Sequence, residues 1–295
     1  MSSPFQPFRT TIFFMKKTII PLLLLFAAFS CTSNDSQQSI TNILSQSDKD
    51  IAFTTDSFSI QKVGLGGDFS ASVQMPTGGN PLLVNSVNEW ISEQLGNSYD
   101  GDVNDVKQMF EFYAKLYTTA KDSTLIDTVW SDGKYAEEAL DRGYVIEKLY
   151  ETPKLVTFGV NIYLYYHGAA HPSTIYNAQT FRKSDGRRFG WEIIYEDNVY
   201  ADDNSYIQLE AQLRAGIAKH FEVANEDDLG DLLTIEKSDF SYNFPRPQTV
   251  PYLTKEGLNF VYQQYEIAPY AMGLPSVTIP CEKLPLLRAF KNELK

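Results

Sequence analysis

The chain has 295 residues, with 25 Lys and Arg against 37 Asp and Glu for a formal net charge of −12, and 14% of its side chains are aromatic. That acidity excludes a nucleic-acid binder, whose phosphate contacts need a basic footprint, and argues against an electrostatic grip on anionic lipid headgroups. A cationic protein or peptide would instead be steered toward it.

At the N-terminus, Met15-Lys16-Lys17 precedes an apolar run from Ile19 through Phe29, the charged and then apolar layout of a secretory signal. The run is too short for a spanning helix. Ala28-Phe29-Ser30-Cys31 follows, with small residues three and one positions before a cysteine, the pattern read by lipoprotein processing enzymes. Residues 1–30 are therefore expected to be a signal peptide, with 1–14 a mis-assigned start ahead of Met15. Cleavage would leave a lipidated, palmitate-type anchor at Cys31, and two or more acyl chains hold a protein stably on a membrane. It would also remove Arg9, Lys16 and Lys17 but no acid, leaving a net charge of −15. The expected location is the bacterial cell envelope, on the outer membrane, facing periplasm or exterior. Residues 31–49 are rich in Ser, Asn, Gln and Asp and read as a tether that cannot bury a core.

The folded part divides into an expected N-terminal α/β module, 50–142, and a second domain, 143–295. Phe69 to Met75 alternates at period two and reads as a strand. Leu82, Leu83, Val87, Trp90, Ile91 and Leu95 then recur at helical spacing, with Asn80-Pro81 as cap and first turn. A second helix spans about Val103 to Ala120, with Val106, Phe110, Tyr113 and Tyr117 on one stripe, and a third is expected around Ala136 to Leu140. Tyr144–Tyr150 and Leu155–Tyr166 form a hairpin, Ser173–Arg182 a third strand and Ser205–Phe221 a helix. Short strands at Tyr252–Leu253, Gly257–Tyr265 and Ser276–Ile279 and a closing helix over Leu284–Leu294 complete an α+β protein with a mainly antiparallel sheet packed with helices. With Cys31 lipidated, Cys281 remains alone, so no internal disulfide forms; its strand-like setting predicts buried packing.

Candidate chemistry is sparse. His167 and His171 stand four apart, a zinc spacing on a helix, but Gly168 and Pro172 make a helix improbable and a loop is expected. Asp100, Asp102, Asn104 and Glu111 fall at positions one, three, five and twelve of a calcium loop, yet Asp105 stands where that loop needs glycine. These acids and amides also suit helix caps. The chain carries no GxSxG elbow, Walker loop, HExxH, CxxC or Rossmann fingerprint. The reading is of a protein that is not an enzyme, with no cofactor and no metal.

Three strings carry a resemblance. They are Tyr166-His167-Gly168-Ala169-Ala170-His171-Pro172, Asp185-Gly186-Arg187-Arg188-Phe189-Gly190-Trp191-Glu192-Ile193-Ile194-Tyr195, and Gly257 through Gly273 with Val277-Thr278-Ile279-Pro280 behind it. Residues 144–290 resemble the RsiV-like domain family, whose members include the extracellular part of a lysozyme-sensing anti-sigma factor and an accessory domain of a peptidoglycan deacetylase. The resemblance implies a non-catalytic envelope module. From their density in aromatics, histidine and glycine, the loops His167–Pro172 and Tyr265–Gly273 are expected to border a binding groove holding His167, His171, Tyr265 and Tyr270. The partner is left open between lysozyme or another cationic protein and, as alternatives, peptidoglycan or the substrate of an envelope hydrolase with an unrecognised site.

Overall fold

The computed structural model describes residues 52–119, 139–194, 203–223, 226–235, 244–284, 286 and 288–295. The signal segment, Cys31, the whole tether and the helix expected from Ala136 lie outside them, except that Leu140 opens a strand.

Six strands form the main sheet in chain order: β1 (Thr54–Lys62), β2 (Phe69–Gly78), β3 (Leu140–Glu151), β4 (Leu155–Tyr166), β5 (Ser173–Arg182) and β6 (Arg188–Phe189). Only β2 and β3 pair parallel; the other neighbours are antiparallel. A parallel pair needs a crossover. Here the chain between the two strands holds α1 (Pro81–Leu95) and α2 (Val106–Thr119). β1 is not foreseen from the sequence. The expected division at 142 and 143 falls inside β3, which pairs with β2, and Lys49–Lys295 forms one compact unit.

Local chemistry sets the helix ends. The Asn80 side chain accepts from the Leu82 N–H at 2.9 Å, Pro81 takes the first helical position, and Gly96 closes α1 in the left-handed region at φ 118°. Its C-terminal carbonyls are met by the N–H groups of Gly96 and Asn97, the usual closure when glycine supplies the turn. Asp105 caps α2 by accepting from Gln108 N at 3.1 Å.

Alternation decides which face is buried. Phe69, Ala71, Val73 and Met75 of β2, Tyr144 and Ile146 of β3, and Val156, Phe158 and Val160 of β4 meet Leu83, Val87, Trp90 and Ile91 of α1 and Met109, Phe110 and Tyr113 of α2. Phe158 is fully buried and meets Phe53 and Phe181 edge-on at 6.1 and 6.4 Å. Truncating such a ring to alanine costs about 3–5 kcal/mol.

Among the described residues the opposite face is covered over one half only. A second layer of α3 (Asp203–His220), α4 (Arg288–Glu293) and the antiparallel sheet β7 (Tyr252–Leu253), β8 (Leu258–Val261) and β9 (Ser276–Ile279) builds its own core around Leu209, Leu213, Ile217, Phe260 and Phe290. Leu155 joins that core from β4. Thr180 joins the layers, sharing a buried hydroxyl contact with Thr157 at 3.0 Å and accepting from Leu253 N at 2.8 Å. β4 is thus buried on both sides from Leu155 to Val160, whereas Asn161 and Tyr163 are exposed. Cys281, expected to be buried, is only partly so; burial still pushes its thiol above the ordinary value, which disfavours the thiolate. Among the described residues no helix is long and apolar enough to cross a membrane.

Candidate functional site

The uncovered half of the sheet is a recess of about 610 Å³. Strand register builds its floor from two cross-strand rows. One runs Gln61, Ser70, Gly143, Tyr163 and Thr174, and the other Ser59, Ser72, Val145 and Asn161, ending at Tyr176. These residues share a face because side chains alternate along each strand. The lining is neutral: hydroxyls and amides from Ser59, Gln61, Ser70, Ser72, Asn161 and Thr174 surround Tyr163, which is 44% exposed.

Gly143 sets the depth. A Cβ built on it would lie 3.4 Å from Ser70 Oγ and 3.5 Å from Tyr163 Cβ, ordinary contact distances. Space above the floor is therefore left by the missing side chain rather than by strained backbone. At the covered end, Tyr252 Oη donates to Tyr176 Oη at 3.5 Å. Burial holds both phenols above the ordinary tyrosine value, so both remain protonated hydrogen-bonding groups.

The ends of the face are acidic. Two residues beyond Gly143, Asp141 Oδ1 accepts from Asp68 N at 2.8 Å and lies 2.9 Å from His167 Nε2. Glu147 is exposed at the other end of β3's outward row. Asp141 orients His167 in the manner of an acid–base pair, but the Nδ1 atom of that ring meets no nucleophile among the described residues.

Of the loop residues expected to bind, the structure gathers three. His171 stacks on Tyr270 at 3.8 Å and 25°, its Nε2 lies 3.3 Å from Tyr265 Oη, and the two tyrosines stand 5.9 Å apart. His167 is separate, facing Asp141 and Tyr165. The calcium candidates do not gather. Asp102 Oδ1 accepts from the backbone and side chain of Asn104, and Asn104 donates to Asn85. These groups form a turn ahead of α2, and no trio of His, Cys, Asp or Glu able to hold a metal ion occurs among the described residues.

The recess itself was not foreseen. Its signal was present in β2, where the outward positions Ser70 and Ser72 are small and neutral. What the sequence hides is that β1, β3 and β4 bring similar groups alongside, because that depends on register between distant strands.

Residues 189–282 match a family model described as a protein of unknown function, DUF3298. A solved member of that family from Bacteroides fragilis is similar in structure, with a TM-score of 0.60 and 20% identity over 83% of this chain and 98% of the other. A DUF3298 family protein from Pseudomonas aeruginosa PAO1 gives 0.52 and 14% identity over 80% and 94%. These likenesses show a shared fold, and the α+β architecture with a main and a smaller sheet is common ground. No curated protein matches the chain.

Proposed function

We propose that this is a lipid-anchored cell-envelope protein whose folded part binds a neutral glycan, of the kind found in peptidoglycan strands, without cleaving it. The observation that carries the reading is the uncharged recess with Tyr163 at its centre. A sugar offers hydroxyls to planar amides and hydroxyls, and an apolar C–H face to an aromatic ring; Asn161, Gln61, the serines and Tyr163 supply both. Adjacent strands stand about 4.8 Å apart, close to the length of one sugar ring, so a linear chain crossing the strands meets polar side chains from β1, β2, β4 and β5, with Gly143 and Val145 of β3 leaving room between them. Binding rather than turnover is favoured because the lining among the described residues includes no carboxylate, histidine or cysteine.

The signal-like N-terminus ending at Cys31 supports the anchor, and the resemblance to RsiV-like envelope domains agrees with the location. The acidic net charge supports a second reading, capture of a cationic protein such as lysozyme. Salt separates the two, because contacts between exposed charges are screened above about 0.1 M, whereas neutral hydrogen bonding and stacking are not.

Calorimetric titration with N-acetylglucosamine oligomers and soluble peptidoglycan fragments tests the glycan reading. Gly143→Val places its Cβ at ordinary contact distance on a strand, where a β-branched residue is favoured, and its methyls over the floor, so it should keep the parent's unfolding temperature and lose at least tenfold in affinity. Equal affinity in the variant, or no binding by the parent protein, sinks the reading. For the anchor, Cys31→Ser should abolish incorporation of an alkyne-tagged fatty acid and release the protein from membranes; retained label would refute lipidation there.

A further inference from the structure

We infer that Tyr265, backed by Tyr270 and His171, is an outer stacking subsite for the same glycan, reached from the recess across Thr174. The inference rests on the glycan reading, and four observations carry it.

The first is continuity. Thr174 lines the recess, and its N–H donates to Gln264 Oε1 at 2.9 Å, while Gln263 brackets Tyr176 two residues along. The loop bearing Tyr265 is thus fastened to the edge strand at the rim of the recess. The second is rigidity. Glu266 accepts from Gln263 N and from Gln248 N, each at 2.6 Å, so one carboxylate clamps the turn from both sides.

The third is backbone strain. The turn closes with Glu266 N donating to Gln263 O, and inside it Tyr265 sits at φ 65°. That is the left-handed region, where glycine is free of penalty and a side chain is not. Strain of this kind persists only when its surroundings impose it, and it gathers at ligand-binding positions. The fourth is exposure. Tyr265 is 60% exposed, so core packing does not repay the strain. Its ring is nonetheless held. His171 Nδ1 donates to the Pro172 carbonyl at 3.0 Å, leaving Nε2 to accept from Tyr265 Oη, and His171 itself is stacked on Tyr270. An aromatic side chain is being presented to solvent in a fixed orientation at the end of an uncharged recess, which suits a sugar ring beyond those on the sheet.

The test is a chain-length series of N-acetylglucosamine oligomers against the parent protein, Tyr265→Gly and Gly143→Val. The parent should bind the hexamer at least tenfold more tightly than the dimer. Tyr265→Gly should erase that gain while leaving the dimer unaffected, and should unfold at the same temperature or higher because glycine relieves the strain. Lost stability would mean that the tyrosine serves the fold, and would overturn the inference. If the hexamer binds and ignores Tyr265→Gly, the outer subsite fails while the recess stands. If it also ignores Gly143→Val, both readings fail.

Discussion

Gln263 pairs with Tyr176 as though it were a strand residue: its side-chain oxygen accepts from Tyr176 N at 3.1 Å and its side-chain nitrogen donates to Tyr176 O at 2.8 Å. β6 reaches only Thr180 and Phe181 of β5, so the rest of that edge is met by side chains instead of a ladder. Exposed edges invite pairing with other chains, and two glutamines close this one. Gln263→Ala removes both bonds and leaves part-buried backbone groups unpaired. It should cost about 1–3 kcal/mol, read as a lower urea midpoint with an unchanged slope. A fall below about 0.3 kcal/mol would show that water replaces the amide without loss.

Tyr113 makes a comparable link on the other face. It is fully buried, and its hydroxyl accepts from the N–H groups of Ser98 at 2.9 Å and Tyr99 at 3.1 Å, just after α1 ends. Tyr113→Phe keeps the ring in the core and strands both donors. A loss of about 1–3 kcal/mol is expected, with amide hydrogen exchange at Ser98 and Tyr99 accelerating more than in the sheet. Uniform acceleration would show that the effect is global rather than local.

What the sequence made legible follows from range of interaction. The start of α1 was readable because Asn80 and Pro81 act on their own neighbours, and β3 to β5 were readable because Ile146, Phe158 and Phe181 lie on strands with strong alternation. β1 escaped because only Phe58 and Ile60 mark its inward side, and both are merely half-buried. The parallel pairing of Phe69 with Arg142 was beyond reach, since it is fixed by how two helices fold back on the sheet. The loops were readable in part: their histidines, aromatics and glycines marked the His167–Pro172 and Tyr265–Gly273 segments as two sides of one groove, whereas the stacking of His171 on Tyr270 depends on packing that composition does not show.

Acid should weaken the hairpin end of the sheet. The guanidinium of Arg182 beside Asp185 holds that carboxyl below its usual value, against a partial burial that works the other way. For Glu151, burial likewise raises the value, but hydrogen bonds from Lys148 and Lys183 at 2.7 and 2.8 Å bring it below normal. Both carboxyls therefore bind protons less readily folded than unfolded. Their contribution is fully present above the ordinary carboxylate range near about 4 and is lost as pH falls through it toward the folded values. All five groups are partly exposed, so each site contributes on the order of 1 kcal/mol or less. Denaturant midpoints measured from pH 7 to pH 3 should fall less steeply for Asp185→Asn and Glu151→Gln than for the parent. Parallel pH profiles would assign the acid sensitivity to other groups.

The second layer depends on a close approach between α3 and β9. A Cβ placed on Gly216 would lie 2.3 Å from Val277 Cγ1 and 2.8 Å from its Cγ2. Those atoms belong to a short, branched side chain that is 6% exposed, and a β-branched residue has few rotamers to escape into. Two effects then oppose each other in Gly216→Ala. Helix propensity favours alanine by about 1 kcal/mol, whereas overpacking a tight contact costs about 1–3 kcal/mol. The clash should win in the parent, giving a net loss. In a Val277→Ala background the obstructing methyls are gone and only the 3.1 Å contact with the Cβ at position 277 remains, so the same substitution should cost much less, with a coupling of more than about 1 kcal/mol in the double-mutant cycle. Additive effects would mean that α3 shifts away from β9 at little cost and that glycine at this position reflects something other than packing.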